Sequence, residues 1–205
     1  MPQDQGPPDG SQQDRVLTVP NALTALRLAC LPLFGLLLAR PEGRGRTAAA
    51  FLLYGLGVTD GLDGYIARHF NQASSLGAAA DPLVDRALVL SATGGALAIG
   101  AVPPWLAGIV LAREAVVAGG AVALATKRAG RLEVSWAGKA GAAAMMGALP
   151  LFILSKSPFR WHSQARVLAW VFAAGGQFFA WVAAAGYIPK AWAAISEQRD
   201  TRSPS

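Results

Sequence analysis

Six stretches of this chain each run for about 20 mostly apolar residues, the length a helix needs to cross a hydrocarbon layer, with short polar punctuation between them. The first is expected from Asn21 to Ala39, behind Pro20 at a helix start. The second is expected from Thr47 to Arg68 and the third from Ser75 to Gly100, with RPEGRGR (Arg40 to Arg46) as the loop before the second. Pro103 and Pro104 open the fourth, which ends near Thr126. The fifth covers Trp136 to Leu154 and the sixth Val167 to Ile188, separated by the polar segment SKSPFRWHSQAR. Composition agrees. Hydrophobic residues make up 53% of the 205 and charged residues only 15%, against about 25% charged in soluble domains. The fold class expected is an all-α integral membrane protein, a bundle of six transmembrane helices with polar N- and C-terminal tails. Residues 1–14 are expected to be a disordered tail, 15–190 the membrane domain and 191–205 a polar tail.

The charge pattern narrows the partners. The net charge of +6 comes from basic residues scattered over segment ends, so anionic membrane lipids are the expected partner and nucleic acid is not. A slight excess of Lys and Arg on the termini's side favours cytoplasmic termini. Cys30 is the single cysteine, so no disulfide framework is possible.

The exception to this apolar pattern lies in VTDGLDGYIARHFNQASSLGAAADPLVDRAL, which begins at Val58. Asp60 and Asp63 are three residues apart near the end of the second span, and Asp81 and Asp85 four apart near the start of the third. Each pair therefore shares one helical face. The link between the helices is short, so all four carboxylates can converge near one membrane surface. An aspartate at mid-bilayer costs about 2.5–3.5 kcal/mol on insertion scales, and mutual repulsion adds to that. Protonation would relieve the cluster and imply a proton path. Two divalent cations would also relieve it, and an all-oxygen donor set suits Mg²⁺, Mn²⁺ or Ca²⁺ rather than zinc. Arg68, one turn beyond Gly64, adds a grip for phosphate oxygens. Metals with an arginine form a kit for phosphoryl transfer. The rival classes are a cation or proton transporter, whose acids should be spread through the membrane's depth, and a non-catalytic scaffold.

Asp60, Asp63, Gly64, Ala67, Arg68, Gly77, Asp81 and Asp85 match without substitution the signature DxxDGxxARx₈GxxxDxxxD. In this the chain resembles the CDP-alcohol phosphatidyltransferases, whose layout of six spans it also shares. The resemblance implies that Asp60, Asp63, Asp81 and Asp85 hold two divalent cations, Mg²⁺ or Mn²⁺, and that Asp85 is also the general base on the acceptor hydroxyl. It implies that Asp60, Gly64, Ala67, Arg68 and Gly77 form the CDP site. The implied reaction transfers the phosphatidyl group of CDP-diacylglycerol to an acceptor hydroxyl and releases CMP, with glycerol 3-phosphate the acceptor expected first and phosphatidylglycerol the alternative. The opening TVPNALTALRLACLPLF, with Pro20, Asn21, Thr24 and Arg27, is similar to members that use glycerol 3-phosphate to make phosphatidylglycerophosphate. It is equally similar to CMP-forming cardiolipin synthases, which use phosphatidylglycerol. Arg113 and Lys139 are the candidate contacts for the acceptor phosphate, and an ion pair within the bundle is the alternative for Arg113. Arg27 and Asn21 have an equally simple reading as interface anchors of the first helix. The resemblance further implies a homodimer in a bacterial plasma membrane, with the active site on its cytoplasmic face.

Overall fold

A computed structural model describes the backbone of residues 19–41, 43–70, 75–126 and 136–200, and the side chains of 22–41, 43–59, 83–119 and 136–183. The described chain is all helical. The helices are α1 (Val19–Ala39), α2 (Gly43–Phe70), α3 (Ser75–Ala98), α4 (Pro104–Thr126), α5 (Trp136–Leu154) and α6 (His162–Asp200). The shortest has 19 residues, about 28 Å at 1.5 Å per residue. Among the described residues, three segments are long and apolar enough to cross a membrane: Ala22–Ala39, Trp136–Leu154 and His162–Ala183. The outer surface carries bare Leu36, Leu83, Val116, Val167, Phe178 and Trp181, a dressing that water would not tolerate on this scale and lipid does. The protein is a membrane protein.

Three helix boundaries differ most from the sequence expectation. α2 begins at Gly43 rather than Thr47, inside the expected loop. α6 begins at His162, not Val167, and runs to Asp200, well past Ile188. The hydropathy that set the expected limits marks where apolar residues stop, while AWAAISEQRD remains rich in good helix formers. At the front, the His162 amide bonds the Phe159 carbonyl at 3.0 Å and Ala165 is buried, so polar residues there coil onto the bundle.

Helix directions follow from the contacts. Phe34 and Leu38 of α1 lie against Gly95 of α3, while Arg27 lies against Asp85. Contacts advancing together along both helices mean that α1 and α3 run parallel. A Cβ at Gly95 would sit 2.6 Å from Leu38 Cδ2 and 3.2 Å from Phe34 Cε1, so the ends of these two side chains fill the space a larger residue would take. α5 and α6 run antiparallel: Gly141 meets Gly176, Gly147 meets Phe172, and Phe152 meets Trp170. Their contact is the most extensive among the described residues, and its core is backbone on backbone, as small residues permit in lipid. α1 packs on both α2 and α3, and so does α5. α4 leans on α3, with Trp105 stacked on Trp170 of α6 at 5.8 Å. The α3–α4 turn closes through Gly100 at φ +64°, where the Ala101 amide bonds the Ala96 carbonyl at 2.8 Å.

Candidate active site

These directions put the C-terminal end of α2, the N-terminal ends of α1, α3 and α5, and the C-terminal end of α4 at one end of the bundle. α2 carries Asp60 and Asp63 in its last turns, with Gly64, Ala67 and Arg68 behind them. α3 carries Gly77, Asp81 and Asp85 in its first turns. Four residues separate Phe70 from Ser75, so the two acidic pairs come from consecutive helix ends. The side chains of Asp60, Asp63, Gly64, Ala67, Arg68, Gly77 and Asp81 lie outside the described residues. Among the described residues, no group of three or more His, Cys, Asp or Glu forms a metal cluster.

Asp85 is described, and its surroundings were not foreseen. Its Oδ1 accepts Nη1 of Arg27 at 3.4 Å. The Asp85 side chain is 38% exposed and that of Arg27 only 2%. Arg27 therefore does not sit at the surface as an interface anchor; it is inside, reaching from α1 to α3. The signal was present in the sequence. Arg27, Leu31, Phe34 and Leu38 recur at intervals of four, three and four, one helical face, and that face is the one α1 buries. Thr24, one turn earlier, is buried on it too.

Arg113 and Glu114 form an ion pair on α4, Nη1 to Oε1 at 3.1 Å, with side chains 25% and 15% exposed. The internal pairing considered for Arg113 is present. Lys139 is exposed at the start of α5. A different feature occupies the opposite end. There an open cavity of about 400 Å³ is lined by Ser155, His162, Ser163, Arg166, Val167 and Trp170. It lies at the start of α6, away from the acidic helix ends.

Comparison with known proteins gives this geometry a context. The family model described as CDP-alcohol phosphatidyltransferase matches residues 17–183, which span α1 to α6 and contain both acidic pairs. Over 168 residues the chain is 41% identical to a cardiolipin synthase (CMP-forming) of Streptomyces coelicolor, covering 80% of this chain and 78% of that protein. Over 148 residues it is 35% identical to a "Probable phosphatidylglycerophosphate synthase" of Mycobacterium tuberculosis, covering 70% of this chain and 69% of that one. A CDP-diacylglycerol–glycerol-3-phosphate 3-phosphatidyltransferase of Bacillus subtilis is 30% identical over 116 residues, 51% of this chain and 60% of that protein.

Proposed function

The chain belongs to the CDP-alcohol phosphatidyltransferase family, and we propose that it moves the phosphatidyl group of CDP-diacylglycerol onto a glycerol hydroxyl of phosphatidylglycerol, releasing CMP. It is a phospholipid-synthesising transferase of substituted phosphate groups. The observation that carries the reading is the unbroken eight-residue signature, Asp60 to Asp85, laid across two consecutive helix ends inside the family match.

The donor set fits divalent cations: four carboxylates, with no thiol or imidazole in the signature. Two such ions, Mg²⁺ or Mn²⁺, would offset the charge of the four acids and polarise the diphosphate being cleaved. Asp60, Asp63, Asp81 and Asp85 would hold them, with Asp85 at the edge of the set. Arg68 contacts the diphosphate, and Gly64, Ala67 and Gly77 leave room for the nucleotide. Asp85 takes the proton of the acceptor hydroxyl as that oxygen attacks the lipid-bearing phosphorus and the bond to CMP breaks. All six helices cross the bilayer, with this end at the cytoplasmic face, and the protein works as a homodimer.

Two observations favour phosphatidylglycerol as acceptor. The Streptomyces relative at 41% identity is named a cardiolipin synthase. Arg113 already shares its charge with Glu114, which suits a phosphodiester of single charge better than a monoester of nearly two. The second reading is glycerol 3-phosphate, favoured by the Mycobacterium and Bacillus relatives. The test uses purified protein with CDP-diacylglycerol and Mn²⁺, offering each acceptor separately and measuring CMP. Phosphatidylglycerol should support release, chelation by EDTA should stop it, and Asp85→Asn should slow it by about 10²–10⁴-fold, the usual worth of a general base. Absence of CMP with either acceptor would refute the reading.

A further inference from the structure

Arg27 is a charge in the bundle interior to which the reaction above gives no task. We propose that Arg27 is the positioning residue for Asp85, holding the carboxylate that receives the acceptor's proton. The proposal rests on the phosphatidyl-transfer reading and deepens it. A base acts only when its oxygen is within hydrogen-bond reach of the proton it takes. An aspartate side chain 38% exposed is held in its rotamer by its polar contacts more than by close packing. The Arg27 guanidinium, 2% exposed and 3.4 Å from Asp85 Oδ1, is one such contact. At this length the contact is an ion pair rather than a short charge-assisted hydrogen bond. It therefore orients the carboxylate without tying up an oxygen tightly.

Arg27 can set a position because its own is set. It stands on the face of α1 that also presents Phe34 and Leu38, and these close on Gly95 of α3. Phe34 and Leu38 pack α1 against α3 at Gly95, and the parallel run of the two helices brings Arg27 beside Asp85. A guanidinium in this interior is expensive unless a carboxylate answers it. Each partner therefore constrains the other. Arg27 is not a catalytic residue in this account, since it acts through Asp85.

The test compares Arg27→Gln, Arg27→Lys, Asp85→Asn and the double variant Arg27→Gln/Asp85→Asn, each as the purified full chain. If Arg27 works by placing Asp85, Arg27→Gln lowers kcat by about 10²-fold, the scale of an ångström-sized misplacement, and leaves KM for CDP-diacylglycerol unchanged. Adding Arg27→Gln to Asp85→Asn should then slow CMP release no further. The melting temperature in EDTA, read without turnover, should fall less in the double variant than the two single falls combined. Arg27→Lys keeps the cation without the planar fork and should fold with an intermediate kcat. This variant decides the matter should Arg27→Gln fail to fold. A wild-type kcat in Arg27→Lys, a raised KM with kcat intact, or fully additive losses in the double variant would overturn the proposal. A wild-type protein that releases no CMP would instead sink the transferase reading, so the two failures are distinct.

Discussion

Gly175 and Gly176 are neighbours on α6 with opposite surroundings, and the pair measures how closely α5 and α6 are pressed together. A Cβ at Gly176 would lie 3.1 Å from the Gly141 carbonyl oxygen and 3.3 Å from both Ala144 Cβ and the Met145 amide nitrogen. Two of the three are backbone atoms and the third is fixed to backbone, so none can rotate away. Comfortable separations are about 3.5–4.0 Å, so a methyl group there must part the helices by a few tenths of an ångström. Overpacking of this kind costs about 1–3 kcal/mol, against about 1 kcal/mol gained because alanine is the better helix former. A Cβ at Gly175 meets nothing within 4 Å, so Gly175→Ala keeps the gain without the clash. The helix-propensity gain is common to both and cancels in their difference. Gly176→Ala should therefore be less stable than Gly175→Ala by about 1–3 kcal/mol, at about 2–4 °C for each kcal/mol in a chain of this size. Thermal unfolding in detergent, followed by tryptophan fluorescence, reads the gap. Gly141 is two residues from Lys139, so Gly176→Ala should also weaken CMP release while Gly175→Ala spares it. Equal melting temperatures for the two variants, or the reverse order, would refute the close approach.

Two further substitutions test single groups. Thr93 is fully buried and its Oγ1 has no hydrogen-bond partner among the described residues; Thr93→Val removes that orphaned hydroxyl at nearly constant shape and should raise stability by about 1 kcal/mol, read as a higher melting temperature, whereas a lower one would mean the hydroxyl is serving a partner. Glu114→Gln takes the negative charge from beside Arg113 and should cost about 1–3 kcal/mol of stability while lowering KM for the acceptor; a fall in melting temperature with KM unchanged would make the pair a structural tie alone.

What the sequence made legible follows the physics of each signal. α5 was expected from Trp136 to Leu154 and is found there, because a long apolar run stops at polar residues on both sides. α4 likewise starts at Pro104, where a proline loses nothing at the first turn. The limits of α6 were misjudged because hydropathy reports solvent and not hydrogen bonding: its first turn and its last turns are polar and still helical. The acidic pairs were legible because their spacing is helical and their chemistry is out of place in an apolar chain. Arg27 was readable as a charge in an apolar segment, and its face was fixed by the spacing to Phe34 and Leu38. Its partner was not readable, since pairing with Asp85 depends on α1 and α3 running side by side across 58 positions of sequence.

The fold separates the work of holding together from the work of chemistry. The apolar core runs through α1, α2, α3, α4, α5 and α6 on Leu, Ala, Met and Phe, and the close approaches of Gly95 to Leu38 and of Gly141 to Gly176 are made without charge. The far end is tied by neutral or capping contacts: Ser155 and Ser157 hydroxyls donate at 2.7 Å to the Phe152 and Leu154 carbonyls, and Arg46 donates to that of Lys156 at 3.1 Å. With the helices positioned by these means, the acids at the other end need not stabilise the fold and are left for the chemistry proposed above. The Arg27–Asp85 contact is where the two parts meet, because a residue on the packed face of α1 ends on a carboxylate of the signature. Neutralising Asp60, Asp63 or Asp81 should consequently remove activity and leave the bundle intact, whereas Arg27 is the position at which activity and folding are coupled.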